Sequence, residues 1–282
     1  MSIRTATIAL ALLGTATWLV APADARSSSA AGALVLVDDD IDERPDKRPE
    51  VAELCDRLKG HVKRKGDEDD AALDVIDQLV IEFRASGPKD RGTIVKSISK
   101  CFDARRSPEE IRENGEIHVK QNNQLYLAAA VALGEMGPES VKSLEGWIGH
   151  KRHRGDIELQ RRLTQSLGKT ADPKALPTLI DLLTHKDAAL VAAAAEALAY
   201  FENEPSKTRK EIFEAMLKAL MSAKGQVDSD VNDVIARERY NTFSASLITS
   251  LVTISGHEER NPQAIQRWWN KNKRDDWDAD RS

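Results

Sequence analysis

A basic excess, a second long apolar run, period-two alternation and the short signatures of catalysis are all missing from this 282-residue chain. Lys and Arg number 41 against 46 Asp and Glu, a net charge of −5. A nucleic-acid binder ordinarily carries a basic face, so nucleic acid is not the expected partner. Past the first twenty residues nothing approaches the ~20 consecutive apolar positions that a membrane-spanning helix needs. No stable membrane insertion is expected beyond that point. No G-x-S-x-G, H-E-x-x-H, phosphate-binding loop or dinucleotide fingerprint occurs, and with them go the local arrangements that hold a nucleophile, a catalytic zinc or a nucleotide. No cofactor is implied. Aromatic residues make up only 5% of the chain, which makes the Trp268-Trp269 pair and Trp277 conspicuous.

What is present begins with a leader. Arg4 supplies a positive start, Ile8 to Val20 form an apolar run, and Ala21-Pro22-Ala23-Asp24-Ala25 ends in the small-x-small form that signal peptidase reads. A signal peptide over residues 1–25, cleaved after Ala25, is expected, and with it a periplasmic or secreted protein. The apolar run is too short for an uncleaved spanning helix. Removing it takes away one charge of each sign, Arg4 and Asp24, and leaves −5. In an oxidising compartment the even pair Cys55 and Cys101 leaves two states open, a disulfide or two buried thiols.

Residues 26–49 run from Ser and Ala into dense charge, Asp38-Asp39-Asp40, Asp42-Glu43 and Arg44-Pro45-Asp46-Lys47-Arg48-Pro49. Such a stretch buries too little apolar area to offset its ordering entropy and reads as a flexible linker, or as an acidic interaction tail. From there the period is helical: Val51, Leu54, Cys55, Leu58 and Val62, then Leu73, Ile76, Leu79, Val80 and Phe83, then Ile94, Ile98, Cys101 and Phe102. The only hairpin signal, Asn114-Gly115, sits in a charged stretch read as a loop. Gly87-Pro88, Gly137-Pro138 and Asp172-Pro173 separate helices, because Pro has no N–H to lose in a first turn and Gly tolerates a left-handed cap. The spacing predicts an all-α domain over 50–270 and a polar tail over 271–282.

Within that domain one frame repeats. Asp156, Leu159, Leu163, Leu167 and Gly168 recur 31 residues later as Asp187, Leu190, Ala194, Leu198 and Ala199, and 34 residues earlier as Asn122, Leu125, Ala129, Leu133 and Gly134. A looser copy holds Phe243, Leu247, Leu251 and Val252, with the extra length assigned to a loop over Gly225 to Asp233. Partner helices carry Val141, Leu144, Trp147 and Ile148, then Leu176, Leu179, Leu182 and Leu183, then Ile212, Met216, Leu217 and Leu220. One helix pair cannot bury its own apolar faces, whereas a stack buries them in a continuous core. The stretch from Asp172-Pro-Lys-Ala-Leu-Pro through Asp187-Ala-Ala-Leu-Val-Ala-Ala-Ala-Ala-Glu-Ala-Leu resembles HEAT repeats of the short, bacterial, phycobilisome-lyase-like kind, most clearly over 122–201. The resemblance implies an α-α superhelix of about four or five helix pairs. Val191-Ala192 stands where the family often has Val-Arg, removing an inter-repeat polar contact.

Relatives of this kind act as scaffolds, or attach and handle chromophores, and fold alone does not choose between the two. Every residue singled out by pattern is a packing residue, which favours a non-catalytic protein-binding scaffold. A lyase-like or hydrolytic enzyme on the same array is the alternative. The binding face is expected on the concave side, where Tyr126, Gln160, Arg161 and Gln165 would meet a protein or peptide. His150-Lys151-Arg152-His153-Arg154 has H-x-x-H spacing, but three neighbouring cations oppose a metal and no further ligand completes a zinc site. A solvated basic turn is expected there, without metal. His61, His118, His185 and His257 read as surface or helix-end residues. The Trp pair reads as a capping helix or a ligand-stacking platform, and since adjacent helical residues point ~100° apart, one of the two should be partly exposed. Leu163, Leu167, Leu179, Leu183, Ala194 and Leu198 are expected in the core. Leu198→Asp should cost several kcal/mol in urea unfolding, because it buries an unpaired charge.

Overall fold

Side-chain caps and prolines set where the helices begin. Asp156, Asp187, Asp233 and Asn261 each accept a hydrogen bond from a backbone N–H two or three residues on, satisfying donors that the first turn leaves open. Pro49, Pro88 and Pro262 stand in first turns, where no N–H is missed. The computed structural model describes residues 44–113, 116–120 and 122–279, with no side chains over 109–120. The leader and cleavage site, most of the linker and Asn114-Gly115 lie outside the described residues.

The helices are α1 (Pro49–Val62), α2 (Asp69–Ala85), α3 (Pro88–Ser99), α4 (Gln124–Glu135), α5 (Val141–Trp147), α6 (Ile157–Lys169), α7 (Leu176–Leu182), α8 (Ala188–Leu198), α9 (Ser206–Ser229), α10 (Val234–Ser255) and α11 (Pro262–Asn272). They form five consecutive pairs and a closing helix. The second members, α2, α4, α6, α8 and α10, pack in succession to form one layer. The first members lie behind them, α1 on α3, α3 on α5, α7 on α9 and α9 on α11. The described residues belong to one compact unit, an α-α superhelix.

The second-helix layer is held close by small residues. At Gly168 a Cβ would stand 2.5 Å from both Cα and Cβ of Ala197, and at Gly134 it would stand 2.9 Å from Cβ of Ser166. The backbones of α4, α6 and α8 therefore approach one another at the repeating glycine position of the sequence frame. Helix α8 is buried nearly all round, as an Ala-rich helix clamped between two neighbours should be. Leu163, Leu167, Leu179, Leu183, Ala194 and Leu198 are all buried, as their period requires.

Four stretches depart from the sequence reading. Residues 109–120 form a two-stranded antiparallel hairpin, β1 (Glu109–Glu113) with β2 (Glu116–Lys120), paired from Glu109 opposite Lys120 to Glu113 opposite Glu116. It is an insertion between α3 and α4 and builds none of the repeat core. The expected loop over Gly225 to Asp233 is mostly helix, since α9 continues to Ser229 and nothing lies within 4 Å of a Cβ at Gly225. The end of the expected linker is docked: Asp46 accepts from the N–H groups of Lys89 and Asp90, while the carboxylate of Asp90 accepts from those of Lys47 and Arg48. The expected polar tail is also docked. Arg209, only 1% exposed, donates to the carbonyls of Glu204, Ile254 and Trp277 and to the carboxylate of Asp278.

At the same end Phe213 packs against Trp268, Trp269 and Trp277 with centroids 5.6, 5.1 and 5.5 Å away. Trp269 is buried and Trp268 is partly exposed, with His257 stacked on it at 4.5 Å. The pair closes the stack.

Two glycines on this scaffold should respond oppositely. Gly168→Val should lower the unfolding free energy by about 3 kcal/mol through overpacking against backbone. Gly225→Ala, in an open helix interior, should raise it by about 0.5–1 kcal/mol. Urea unfolding of both variants checks the pair.

Candidate binding groove

Helix α6 decides which predicted site residues reach solvent. It packs against α4, α5 and α8, so its buried face is broad and takes in Leu159, Gln160, Leu163, Thr164, Ser166, Leu167 and Gly168. The outward stripe is reduced to Glu158, Arg161, Arg162, Gln165 and Lys169, at the three- and four-residue spacing of one helix side. Arg161 is exposed and Gln165 half-buried, as expected of a surface.

Gln160 and Tyr126 are not on that surface. Gln160 is 2% exposed: its Oε1 accepts from the Gly149 N–H at 2.6 Å, and its Nε2 donates to the carbonyls of Trp147 and His153. It satisfies the backbone of the turn between α5 and α6, which apolar side chains would leave unpaired. Tyr126 is 5% exposed, with its hydroxyl donating to the Ala104 carbonyl at 2.7 Å and its ring 4.8 Å from His153 and 6.4 Å from Phe102. Burial pushes its phenol pKa up. Periodicity alone treats both as outward because it sees one helix and not the inserted turn above it.

The turn over 150–154 exposes Lys151, Arg152 and Arg154, as expected of a solvated basic turn, but not His153. His153 is buried, its Nε2 is 2.7 Å from the Phe102 carbonyl, and Arg152 donates to the Phe102 and Asp103 carbonyls and to the Asp103 carboxylate. His61 pairs with Glu68 at 2.7 Å, and His185 Nδ1 accepts from the Asp187 N–H. The side chain of His118 lies outside the described residues. Among the described residues no cluster of His, Cys and carboxylates has an arrangement that would hold a metal.

A groove of about 690 Å³ runs along the second-helix layer. Arg162, Gln165 and Lys169 of α6 form one side, Glu196 of α8 and Tyr200 and Glu202 beyond it the other, with Val131 of α4 at the edge. Polar contacts cross from helix to helix along it. Lys169 reaches Glu135 at 3.2 Å, Gln165 donates to Glu196 Oε2 at 2.9 Å, and Ser246 of α10 donates to the other oxygen of the same carboxylate at 2.9 Å. Tyr200 is 52% exposed and Val131 37%, so an apolar patch lies among charges. The sequence reading missed Tyr200, which follows the repeat frame and carries no periodic signal of its own.

The family model described as HEAT repeats matches residues 144–223. That stretch of the chain carries HEAT repeats. The matched stretch contains α6 and α8, which supply most of the groove lining, and extends through most of α9. No curated protein and no solved structure gives a significant match. No helix among the described residues is long and apolar enough to cross a membrane.

Cys55 and Cys101 are both free thiols; the disulfide left open by their spacing is not formed, although both line one cavity between α1 and α3. Burial pushes the Cys55 thiol up and pushes that of Cys101 up to about 12, despite the nearby Arg106 cation. Neither environment favours a thiolate nucleophile. Below pH 9 the Cys101 thiol is neutral folded or unfolded. From pH 9 towards 12 only the unfolded chain loses the proton, so stability falls with rising pH over that window. Between pH 8 and pH 10.5 wild type should lose about 2 kcal/mol more than Cys101→Ala, as read by urea unfolding at the two pH values.

Proposed function

We propose that this protein is an exported, non-catalytic scaffold that grips a protein partner along the second-helix groove. HEAT repeats support a scaffold for protein interactions. The observation that carries the reading is the half-exposed Tyr200 beside Val131 in a groove whose charged walls are already tied together. A rigid aromatic anchor ringed by polar groups is the composition of an interface hot spot. A pre-set groove also spares a partner the cost of ordering it. Of the sequence-based face, Gln165 serves this role, while the exposed Arg161 lies outside the groove lining. Export to the periplasm or beyond rests on the leader sequence.

A photo-crosslinking residue placed at position 200 of the full chain, expressed with its leader, should give discrete adducts in the cell-envelope fraction. The same residue at exposed position 214 on α9 should give none. With the partner so identified, Tyr200→Ala should weaken its binding by about 2 kcal/mol. Equal adducts from both positions would remove the groove assignment, and retention of the leader on a cytoplasmic product would remove the export assignment.

A further inference from the structure

The cavity between α1 and α3 has a volume of about 580 Å³ and belongs to the other layer of the stack from the second-helix groove. Its walls are basic on both sides. Lys59 and Lys63 stand on α1 and at its end, and Lys89, Lys96 and Lys100 stand on α3 and in the turn that follows. All five are exposed, and among the described residues none is engaged in an ion pair. One carboxylate, Asp56, shares the cavity, so five positive charges face one negative charge in a chain of net −5. Leu58, Val62 and the two neutral thiols give it an apolar component.

Helix dipoles favour lysines at C-terminal ends, which accounts for four of the five, but Lys89 sits in the first turn of α3, where the dipole opposes it. The pairs Lys59 with Lys63 and Lys96 with Lys100 are like charges four residues apart, a mutually repulsive spacing. Carboxylates are abundant in this chain, yet among the described residues the charge imbalance of the cavity is left without a neutralising partner. The geometry of the lysines indicates what that partner is. Four helical residues rise about 6 Å, while alternate residues of an extended chain are about 6.6–7 Å apart. Lys89 to Lys100 spans about 16 Å of helix, the reach of about five extended residues. Two rows of lysines facing one another across a recess suit a narrow chain entering between them. A flat surface would meet only the outer edges.

We propose that the α1/α3 cavity is a docking site for an extended acidic peptide segment of a partner protein, one with carboxylates at alternate positions and apolar residues between. The lysines of the two walls bind its carboxylates while Leu58, Val62 and the thiol groups receive the intervening side chains. The site takes no part in the second-helix groove, so the scaffold has two independent surfaces, one for each layer.

The test uses the full chain and a fluorescein-labelled octapeptide of alternating Glu and Val, read by fluorescence anisotropy. Lys59→Gln/Lys96→Gln should weaken binding about tenfold, the loss of two exposed charge pairs, while Lys142→Gln/Lys218→Gln on other helices should leave it unchanged. Added salt should weaken binding to wild type and flatten the difference. Circular dichroism confirms that both variants are folded. As a readout independent of charge, the peptide should slow labelling of Cys55 by a neutral maleimide. An octapeptide of alternating Lys and Val, tripolyphosphate, and vesicles containing anionic phospholipid are the comparison ligands. Equal peptide affinity in the two double variants, or unchanged labelling of Cys55 under bound peptide, would overturn the site. Vesicles or tripolyphosphate binding through Lys59 and Lys96 while the peptide does not would overturn the peptide as its occupant.

Discussion

Close contact between backbones is the constraint on which the rest of this structure depends. Where Gly168 meets Ala197 and Gly134 meets Ser166, there is no room for an added methyl group between helices. Helices that approach at such points must repeat their spacing. The large residues of the frame, Leu163, Leu167 and Leu198, are then driven into the gap between layers, where they share one core with Leu179 and Leu182 of α7. Density in the core and regularity of the stack are therefore one requirement, since protein interiors tolerate neither voids nor overlap.

The same closeness shapes the polar surface. With adjacent second helices this near, short side chains can bridge them, and Glu196 is held from both sides by Gln165 of α6 and Ser246 of α10. Exposed bridges of this sort contribute little stability. Their effect is to fix which groups remain available. Tyr200 and Val131 are left as apolar contact area in the groove, so its chemistry is defined by what the bridges do not use. The basic cavity between α1 and α3 presents the opposite case, since its lysines are tied to nothing among the described residues.

Much of the fold was legible because repetition tests itself: a leucine read once as a core residue is read again at the next copy, and the burial of Leu159, Leu163 and Leu167 follows from period alone. What period could not reveal was anything set by insertions between units. Tyr126 and Gln160 look outward on an isolated helical wheel, but the turn over 148–155 and the Lys100–Asp103 turn cover them, and each answers a backbone group of that cover. Gly225 looked like a breaker because glycine is costly in a helix, yet α9 tolerates it within a 24-residue run. In the repeat frame Asn122 stands where the later copies have Asp156 and Asp187, but it is Asn123 that precedes α4, and its amide bonds Asp156 and Glu158 of the next unit instead of its own helix. The groove was half visible. Gln165 lines it and Arg161, though exposed on the same helix, does not, while Tyr200 belongs to the 3-10 turn after α8, which no helical frame marks.

Repeat arrays are commonly treated as strings from which units can be cut, duplicated or exchanged, because each unit meets only its neighbours. Arg209 makes this array different at one end. Its guanidinium is buried at the start of α9, yet acceptors for it come from the end of α10 and from Trp277 and Asp278 beyond α11. A chain shortened to residue 270 keeps every helical pair but strips a buried cation of its carboxylate and of one carbonyl, and a unit grafted after α10 would displace the same groups. The last pair is thus not an interchangeable module but a clasp, and at this end a change in the length of the array has to be made ahead of it.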